Sequence, residues 1–451
     1  MSEVDRLAID PAGLRCYAEG WQSWSRTGWV RGASPALEPW EVTMRGRPGR
    51  PVPEDTVQGE GLLVVDPGDG SPVVAYAADV ERERLDRDGV VPSIRARHEG
   101  AELVVTSDAP VTRTEHPGPV AALTAVGDRW HAAAGVGSGP QPPRVWCTWY
   151  RYFEQVRASD VEENLTAMDR LDLPVDVVQV DDGWSRGIGE WLSPTPGFGD
   201  LPRLVDRIRS SGRRAGIWLA PFVVGADTEL ARQHPDWLTG DAGLNWGQQL
   251  RGLDLSSFGV RAYLHDAVAR LAALGIDYFK LDFLYAGALA ADESVDAGAR
   301  AVRDYRSGLR LVRAAAGPGA YLLGSGAPLV PSLGLVDGMR VSPDTFHEGG
   351  EDGSRGLRGR PSLVARAWQQ GRLWTNDPDC LVARPGYRLR EEWVDTVTTY
   401  GGLRSVSDRL DELDEWGLAA TRQVLDAPST TQPFDDALLA TTLVEPAGVA
   451  G

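Results

Sequence analysis

Carboxylate side chains recur directly after short apolar runs in the second half of this sequence. They occur in four segments, Gln179–Trp184, Tyr278–Phe283, Met339–Asp344 and Thr375–Asp379. In a barrel of parallel strands, the residues that follow the strands meet on one rim, where catalytic groups lie. Lys280 and Asp282 are two positions apart, so both point to the same side of a strand. We therefore expect one pocket that holds several carboxylates together with the cations Lys280 and Arg340.

Two carboxyl groups in one pocket can act as a retaining glycosidase if they lie about 5–5.5 Å apart, one ionised and the other protonated. A nearby cation keeps a carboxylate ionised, and a less charged place lets a carboxyl group keep its proton. Because Lys280 stands so close in sequence, we assign Asp282 as the nucleophile and Asp344 as the proton donor. Sugar hydroxyl groups can donate hydrogen bonds to the other carboxylates of this rim, and for Asp181 and Asp182 we favour a functional role.

A purely structural interpretation of these residues has to be weighed beside the functional one. An isolated Asp after a strand is more often a helix N-cap or a turn residue than a catalytic group. For Asp377 and Asp379, which flank Pro378, we favour a turn or supporting role. Packing alone can explain most of the 16 tryptophans. The joint pattern at four strand ends carries the functional interpretation.

The elements that must position these groups begin at about residue 139. Helical patterns, such as Val260–Leu274 and Arg300–Ala316, alternate there with short apolar runs. This alternation, without a glycine-rich first turn, predicts a (β/α)8 TIM barrel and not an open doubly wound sheet. The eight candidate strands are Val145–Tyr150, Val175–Val180, Ala215–Leu219, Tyr278–Phe283, Ala320–Gly324, Gly338–Val341, Arg372–Thr375 and Gly402–Ser405.

The preceding part of the chain is rich in short apolar runs separated by Gly and Pro. Leu62–Val65 and Val73–Ala77 flank a turn-forming segment, which predicts a β-hairpin, and Leu103–Thr106 and Val120–Val126 are further strand candidates. We expect three domains: an N-terminal β-sandwich over residues 1–138, a catalytic barrel over residues 139–425 and a short tail over residues 426–451. The composition of residues 135–143 is typical of a linker.

Composition excludes several classes of function. With 46 Lys and Arg against 64 Asp and Glu, the formal net charge is −18, which repels nucleic acids. No apolar run is long enough to cross a bilayer, and the first residues lack the pattern of a signal peptide. Three cysteines and six scattered histidines show no metal-binding spacing. We therefore expect no metal, no other cofactor, no membrane contact and a cytoplasmic location.

The segments around these residues resemble the α-galactosidases of glycoside hydrolase family 36, with a weaker similarity to family 27. The resemblance extends from about residue 15 to about residue 425, and the matching segments occur in the family order. It implies hydrolysis of terminal α-D-galactosyl residues by a metal-free double displacement. The matching segments are Gly20–Ser25, Trp149–Phe153, Val180–Trp184, Gly216–Pro221, Tyr278–Phe283, Val336–Val341 with Pro343–Thr345, and Trp374–Cys380.

The resemblance assigns roles to individual positions. Asp282 falls on the family's nucleophile and Asp344 on its acid/base. Asp181 and Asp182 fall on the pair that binds the 4- and 6-hydroxyl groups of the sugar. Among other substrate-binding residues, Lys280 matches the lysine beside the nucleophile and Arg340 the arginine near the acid/base. The remaining residues expected to contact substrate are Trp149, Trp184, Trp218, Ser325, Trp21 and Trp24.

Two departures from the family pattern affect what can be expected. Ser325 stands where many relatives carry Cys, close to the 2-position of the sugar, so tolerance for substituents at C2 can differ. The sequence stops soon after the eighth strand. We therefore expect the C-terminal β-domain of longer relatives to be mostly absent, and the oligomeric state stays open.

The segment Gly20–Ser25 holds two indoles that folding does not obviously require. On a strand, residues three apart face opposite sides, so one of Trp21 and Trp24 can anchor the sandwich while the other projects. The family resemblance implies that this segment reaches over the barrel mouth and adds a stacking face to the pocket. The alternative is that both indoles are core residues.

Several rival functions remain on the same scaffold. A raffinose-synthase-like α-galactosyl transferase, an α-N-acetylgalactosaminidase and a β-L-arabinopyranosidase all fit the same residues, because acceptor choice and ring substituents depend on loop shape. A metal-dependent enzyme that uses Asp181, Asp282 and Asp344 as ligands is more remote, since the ammonium group of Lys280 competes with a cation. A non-catalytic sugar-binding protein is disfavoured because both expected catalytic carboxylates are present.

Overall fold

The computed structural model describes residues 1–34, 37, 39–137, 139–290, 294–346 and 349–429. The tail expected at residues 426–451 lies mostly outside the described residues, as does residue 138 at the expected domain boundary. The described helices and strands fall into two groups, and the first group lies before residue 138. Its strands are β1 Ser2–Ala8, β2 Arg15–Ala18, β3 Gly28–Val30, β4 Thr56–Glu60, β5 Leu62–Asp66, β6 Val73–Ala77, β7 Ser93–Glu99, β8 Glu102–Ser107 and β9 Thr112–His116, and its helices are α1 Pro39–Arg45, α2 Arg82–Asp88 and α3 Pro119–Ala134.

The N-terminal strands form two antiparallel sheets. One has the order β1-β8-β7-β4 and the other β3-β2-β5-β6-β9. Side chains from both sheets, including Leu63, Val65, Ile94 and Val105, share one buried cluster. Two sheets that enclose a common core make a sandwich, as expected. The predicted hairpin is confirmed, because Leu62 to Val65 pair with Ala77 to Val74 in antiparallel register.

The prediction of a strand at Val120–Val126 is wrong, because this segment lies in helix α3. Pro119 occupies the first turn of the helix, where its missing N–H group costs nothing. Ala122, Leu123, Val126 and Trp130 are buried at helical spacing, so the run of apolar residues is one face of a helix. The helix lies between the N-terminal sheet and the barrel, and Trp130 packs against Trp368 of the barrel.

The second group of elements begins at Arg144. Its strands are β10 Arg144–Cys147, β11 Val177–Val180, β12 Arg214–Leu219, β13 Val223–Gly225, β14 Leu238–Asn245, β15 Gln248–Leu253, β16 Ile276–Leu281, β17 Tyr321–Gly324, β18 Gly338–Arg340, β19 Thr375–Asp377 and β20 Arg404–Val406. Its helices are α4 Trp149–Tyr152, α5 Ala158–Arg170, α6 Leu201–Ser210, α7 Glu229–Gln233, α8 Phe258–Ala273, α9 Val295–Ala316, α10 Leu329–Ser332, α11 Arg360–Ala365, α12 Arg390–Tyr400 and α13 Glu415–Asp426.

Eight of these strands form a parallel sheet in the order β19-β18-β17-β16-β12-β11-β10-β20. The N–H group of Gly402 donates to Asn376 O at 2.8 Å, and that of Leu381 to Ser405 O at 2.8 Å. These bonds join the two edges, so the sheet is a nearly closed TIM-type barrel. All eight predicted strands have counterparts, but the seventh is displaced: Arg372–Trp374 precede β19, which runs from Thr375 to Asp377.

A small third sheet, β13-β15-β14, follows barrel strand β12. Strands β14 and β15 form a hairpin whose two turn residues, Trp246 and Gly247, have positive φ angles of 48° and 81°. Two successive positive φ angles are the pattern of a type I′ turn, which favours Asn or Asp followed by Gly. For a bulky side chain such as Trp246, this backbone region is unfavourable by roughly 1–2 kcal/mol.

Candidate active site

Asp282 directly follows β16 at the carboxyl end of the barrel and is almost fully buried. Its Oδ2 accepts a hydrogen bond from Trp218 Nε1 at 3.0 Å, and its Oδ1 accepts one from the N–H group of Phe283 at 3.0 Å. Phe283 turns the chain sharply with a φ of 51°. Two N–H donors therefore fix the carboxylate and stabilise its negative charge.

Asp181, after β11, accepts hydrogen bonds from several side chains on one oxygen atom. Its Oδ2 accepts from Lys280 Nζ at 2.9 Å, from Gln179 Nε2 at 2.5 Å and from Cys147 Sγ at 3.3 Å. The ammonium group of Lys280 thus pairs with Asp181, two strands away, and not with Asp282, its neighbour on the strand. Burial is the largest single influence and acts to lower the pKa of Lys280, but the negative charges of Asp181 and Asp282 together help to raise the pKa above its usual value. The cation remains charged.

Asp182 is buried beside Asp181. Within the described residues, no Lys, Arg or His side chain forms a hydrogen bond with it. Gly183 donates its N–H group to Asp182 Oδ1 at 2.8 Å. Burial raises the pKa of Asp182 to about 7, and the negative charges of Asp181, Glu154 and Asp282 add to this effect. At neutral pH the group therefore has both protonated and ionised forms, so that it can donate to or accept from a sugar hydroxyl.

Asp344 follows β18 and shares its guanidinium partner with two other carboxylates. Arg340 contacts Asp344 Oδ1 at 3.3 Å, Asp377 Oδ2 at 3.1 Å and Asp379 Oδ1 at 2.7 Å. The side chain of Asp344 is partly buried and keeps 48% of its accessible surface. Burial raises the pKa of Asp344 to about 6, assisted by Asp379 and opposed by Arg340.

The segment Gly20–Ser25 of the N-terminal domain docks on the loop after β17. Ser23 and Ala327 exchange hydrogen bonds, and Trp21 O accepts from the N–H group of Leu329. Trp24 is partly exposed, donates Nε1 to Ser325 Oγ at 3.2 Å and meets the ring of Phe283 edge-on at 5.3 Å. It therefore packs against Phe283, the residue that follows Asp282.

Trp21 has the opposite orientation to Trp24. It is buried in the core, with the guanidinium group of Arg47 over its ring at 4.6 Å. The expected division between an anchoring and a projecting indole thus describes the geometry, with Trp24 projecting.

Three further tryptophans were expected to contact substrate, and the structure places them differently. Trp149 is partly exposed on the rim after β10. Trp218 is nearly buried and supports Asp282 through its Nε1 atom. The assignment of Trp184 to the sugar pocket is not supported: Trp184 has no accessible surface, and its Nε1 donates to Trp218 O at 2.9 Å. Gly183, with a φ of 103°, turns the chain inward after Asp182, which explains this position.

The supporting role expected for Asp379 agrees with its contacts, whereas Trp246 was missed from the sequence. Asp379 accepts hydrogen bonds from the N–H and hydroxyl groups of Thr345 at 2.9 Å and 2.8 Å, and so holds the residue next to Asp344. This contact is of the supporting kind that the Asp-Pro-Asp segment predicted. Trp246, on the β14–β15 hairpin, packs against Trp149 on the rim. A Trp-Gly pair between two strand-like runs was the available signal.

Two kinds of feature are absent from the described ranges. No group of three or more His, Cys, Asp or Glu side chains there is arranged to hold a metal ion. None of the helices within the described residues has the length and apolarity needed to cross a bilayer.

Comparison with known sequences identifies relatives of the barrel. A family model described as Melibiase matches residues 146–297. The bifunctional α-galactosidase/sucrose kinase AgaSK of Mediterraneibacter gnavus is 33% identical over 144 residues, which are 28% of this chain and 15% of the relative. The α-galactosidase AgaA of Geobacillus stearothermophilus is 29% identical over 134 residues, or 27% of this chain and 18% of the relative. The alignments thus span less than one fifth of these curated relatives.

Solved structures extend the similarity to nearly the whole chain. TtGalA, an α-galactosidase from Thermus thermophilus, superposes with a TM-score of 0.73 at 29% identity, covering 91% of this chain and 86% of that one. That structure holds p-nitrophenyl α-D-galactopyranoside, and a second structure of the same protein holds stachyose. AgaA superposes with a TM-score of 0.60 at 14% identity, over 93% of this chain and 61% of that one, which shows the fold alone.

Proposed function

We propose that this chain, a homologue of the α-galactosidases of glycoside hydrolase family 36, is a retaining exo-glycosidase that hydrolyses terminal α-D-galactosyl residues. The observation that carries the proposal is the contrast between two carboxyl groups on one rim. Asp282 accepts two N–H donors that stabilise its charge. Asp344 has a pKa raised to about 6 by burial and by Asp379. A nucleophile and a proton donor need this difference.

The proposed reaction has two displacements at the anomeric carbon. In the first, an Asp282 oxygen forms a bond to C1 while the bond to the leaving oxygen breaks, and that oxygen takes the proton of Asp344. In the second, Asp344 removes a proton from water, the water oxygen bonds to C1, and Asp282 leaves as a carboxylate. Both displacements invert the anomeric centre, so that the product retains the α configuration.

The remaining polar residues bind and orient the sugar in this proposal. Asp181 and Asp182 form hydrogen bonds with hydroxyl groups of the galactosyl ring, and Lys280, paired with Asp181 at 2.9 Å, holds that carboxylate in place. Ser325 is buried and its hydroxyl accepts from Trp24. We therefore propose that Ser325 acts on the sugar by fixing the Trp24 ring beside it. The three cysteines are all free, which supports our proposal of a reducing, cytoplasmic environment.

Single substitutions of Asp282 and Asp344 test which residue is the nucleophile and which is the proton donor. We expect Asp282→Gly to lower turnover of an aryl α-galactoside by several orders of magnitude, and azide to restore part of it as β-galactosyl azide. Asp344→Ala should lose less on aryl galactosides with good leaving groups than on raffinose, because such groups need little protonation. With azide it should release the α-galactosyl azide from the glycosyl-enzyme. Product configuration is read by NMR.

The same assay separates this proposal from its rivals. Near-normal activity of Asp282→Gly, or equal losses of Asp344→Ala on both substrate types, contradicts the assignment. A panel of p-nitrophenyl glycosides, with and without EDTA, distinguishes α-galactosidase from α-N-acetylgalactosaminidase, β-L-arabinopyranosidase and metal-dependent activities. We expect the α-galactoside to be preferred and EDTA to have no effect, because the Lys280 ammonium group occupies the side of Asp181 that faces β16.

A further inference from the structure

The interior of the barrel holds a layer of polar side chains below the rim. A small buried cluster joins residues from several barrel strands and therefore lies inside the barrel; it includes Val145 of β10, Val177 of β11 and Tyr278 of β16. On a strand, residues two positions apart face the same side. The side chains two positions later on these strands thus point inward as well, and they are Cys147, Gln179 and Lys280. Three strands therefore bring a thiol, an amide and an ammonium group into the interior.

All three of these groups contact one oxygen atom of Asp181. Its Oδ2 lies 2.9 Å from Lys280 Nζ, 2.5 Å from Gln179 Nε2 and 3.3 Å from Cys147 Sγ. The other oxygen, Oδ1, accepts a hydrogen bond from the N–H group of Asp182 at 3.0 Å. A carboxylate has about two lone-pair sites on each oxygen, so three donors use the capacity of Oδ2 while Oδ1 can accept one more. A sugar hydroxyl group therefore has to bind Asp181 through Oδ1.

The thiol group of Cys147 can hold Asp181 without adding a charge. Burial, and then the neighbouring thiol group of Cys380, raises the pKa of Cys147 well above its usual value, so the sulfur keeps a proton that it can donate. The backbone at this position is fixed, because Ser407 Oγ donates to Cys147 O at 2.9 Å. The next residue, Thr148, accepts at Oγ1 from the N–H group of Asp181 at 2.9 Å. The end of β10 therefore fixes both the backbone and the side chain of Asp181.

We propose that Cys147 is a positioning residue of the sugar-binding site, whose thiol group holds Asp181 Oδ2 so that Oδ1 faces the galactosyl ring. This inference rests on the proposed function, which supplies the sugar hydroxyl group that binds Oδ1. In the barrel, β11 lies between β10 and β12, and β16 follows β12. Lys280 and Cys147 therefore reach Asp181 from opposite sides. Without the thiol group, the ammonium group draws the carboxylate towards β16 and turns Oδ1 away from the sugar.

Two variants of Cys147 separate hydrogen bonding from packing. We expect Cys147→Ala to raise the KM for p-nitrophenyl α-D-galactopyranoside about fivefold with little change in kcat, as for the loss of one weak hydrogen bond in substrate binding. Cys147→Ser keeps a donor in the same place, so its KM should stay within about twofold of that of the unchanged protein. Cys16→Ala is the matched control: it removes another buried thiol group, in the sandwich, and should leave KM unchanged.

Two deoxygenated substrates test whether the thiol group acts through Asp181. The p-nitrophenyl 4-deoxy and 6-deoxy α-galactosides each lack one of the two hydroxyl groups assigned to Asp181 and Asp182. When the hydroxyl group that binds Asp181 is missing, the orientation of this carboxylate no longer affects binding. Cys147→Ala should therefore raise KM for one of the two deoxy substrates and have no effect on the other, because two changes at one contact are not additive.

An unchanged KM of Cys147→Ala overturns the positioning role, and so does an equal rise for all three substrates, because the thiol group then supports only the fold. The role is also overturned if Cys147→Ser has the same defect as Cys147→Ala, or if Cys16→Ala reproduces it. Should Cys147→Ala not fold, Cys147→Ser decides: a KM within about twofold supports the role, and a larger rise overturns it. Failure of the unchanged protein to hydrolyse the complete galactoside instead overturns the proposed function.

Discussion

Asp379 shows how a residue that is not proposed to contact the substrate can influence the pKa of Asp344, the proposed proton donor. It has a φ of 84°, in a region that a residue with a side chain seldom adopts, and is fully surrounded by hydrogen-bond donors. These are the hydroxyl group of Tyr150, Thr345, the N–H group of Cys380 and Arg340. Such a conformation persists only where neighbouring groups hold it in place. The charge it fixes there faces Asp344.

We predict that Asp379→Asn shifts the pH dependence of catalysis toward acid. Asp344 has to be protonated to donate to the leaving group, and after burial the negative charge of Asp379 is the largest influence that raises its pKa. Removal of that charge leaves Arg340 and Lys280 to lower the pKa of Asp344, with Asp282 still raising it. The basic limb of the kcat/KM profile should therefore move down by about one pH unit.

Asp377→Asn is the matched control, because Asp377 also contacts Arg340 but lies on its far side, at Nε. It should move the basic limb less than Asp379→Asn does. A merely structural role for Asp379 would lower activity at every pH and leave the limb in place. That result would contradict the electrostatic role.

The loop Gly20–Ser25 is the clearest case in which an element of one domain completes a site in another. Trp24 reaches the pocket because Ser23 and Gln22 fasten the loop to residues 327 and 328 of the barrel. Trp21, three positions earlier, fills the core beneath Arg47. The two indoles therefore have separable roles within a single turn of chain.

We predict different defects for the two tryptophans. Trp24→Ala should raise KM about tenfold at an almost unchanged melting temperature, because it removes a partly exposed ring that packs against Phe283, the residue that follows Asp282. Trp21→Ala should destabilise the protein by about 3–5 kcal/mol, the usual cost of deleting a buried Trp, while the folded fraction keeps its KM. Steady-state kinetics and thermal unfolding measure both. If both variants lose stability but keep the KM of the unchanged protein, the loop has a structural role only and is not part of the binding site.

Sequence patterns predicted the elements best where periodicity and topology agree. The carboxylates at the ends of β11, β16 and β18 could be placed together because parallel strands in a barrel bring their carboxyl ends to one rim. The strand expected at Val120–Val126 was wrong because a run of seven apolar and small residues fits one face of a helix equally well. Only the position of Pro119 and the αL glycine at 135 distinguish the two interpretations.

Pairing between distant segments could not be predicted. Lys280 was expected to influence Asp282, its neighbour in sequence, but its ammonium group bonds to Asp181, two strands away. Whether Lys280 pairs with Asp181 or Asp282 depends on strand register and on the reach of its side chain, and neither can be predicted from hydrophobic periodicity. The inward position of Trp184 and the exposure of Trp246 likewise depend on turn geometry at Gly183 and Gly247. The residue types of the site were thus predictable from the sequence, whereas the hydrogen-bond partners of their side chains were not.

At the scale of the molecule, a buried ion pair joins the sandwich to the barrel. Arg366, after α11, donates to Glu19 Oε1 at 2.9 Å and to the carbonyl groups of Ser23 and Val341 at 2.6 Å and 2.8 Å. Both side chains are completely buried. One guanidinium group thereby connects the loop that carries Trp24 with the strand end that precedes Asp344.

We predict that the two domains unfold in one transition because of this pair. Removal of one partner leaves an uncompensated buried charge, so Glu19→Gln and Arg366→Met should each destabilise by about 3–5 kcal/mol. The double variant should lose less than the sum of the two, by about 1–3 kcal/mol of coupling. Urea denaturation followed by fluorescence and circular dichroism measures this. Two separate transitions in the unchanged protein, or strictly additive losses, would contradict the coupling.

The docking of Gly20–Ser25 on the barrel also limits how such a protein can be recombined. The connection between α3 and β10 is the obvious crossover point for exchanging modules between homologues, since few elements are interrupted there. A crossover at that point nevertheless separates Trp24 from Ser325 and Glu19 from Arg366. A chimera inherits half of a pocket wall from one parent and the other half from another. A chimera therefore keeps the substrate preference of a parent only if its sandwich and its barrel come from that same parent.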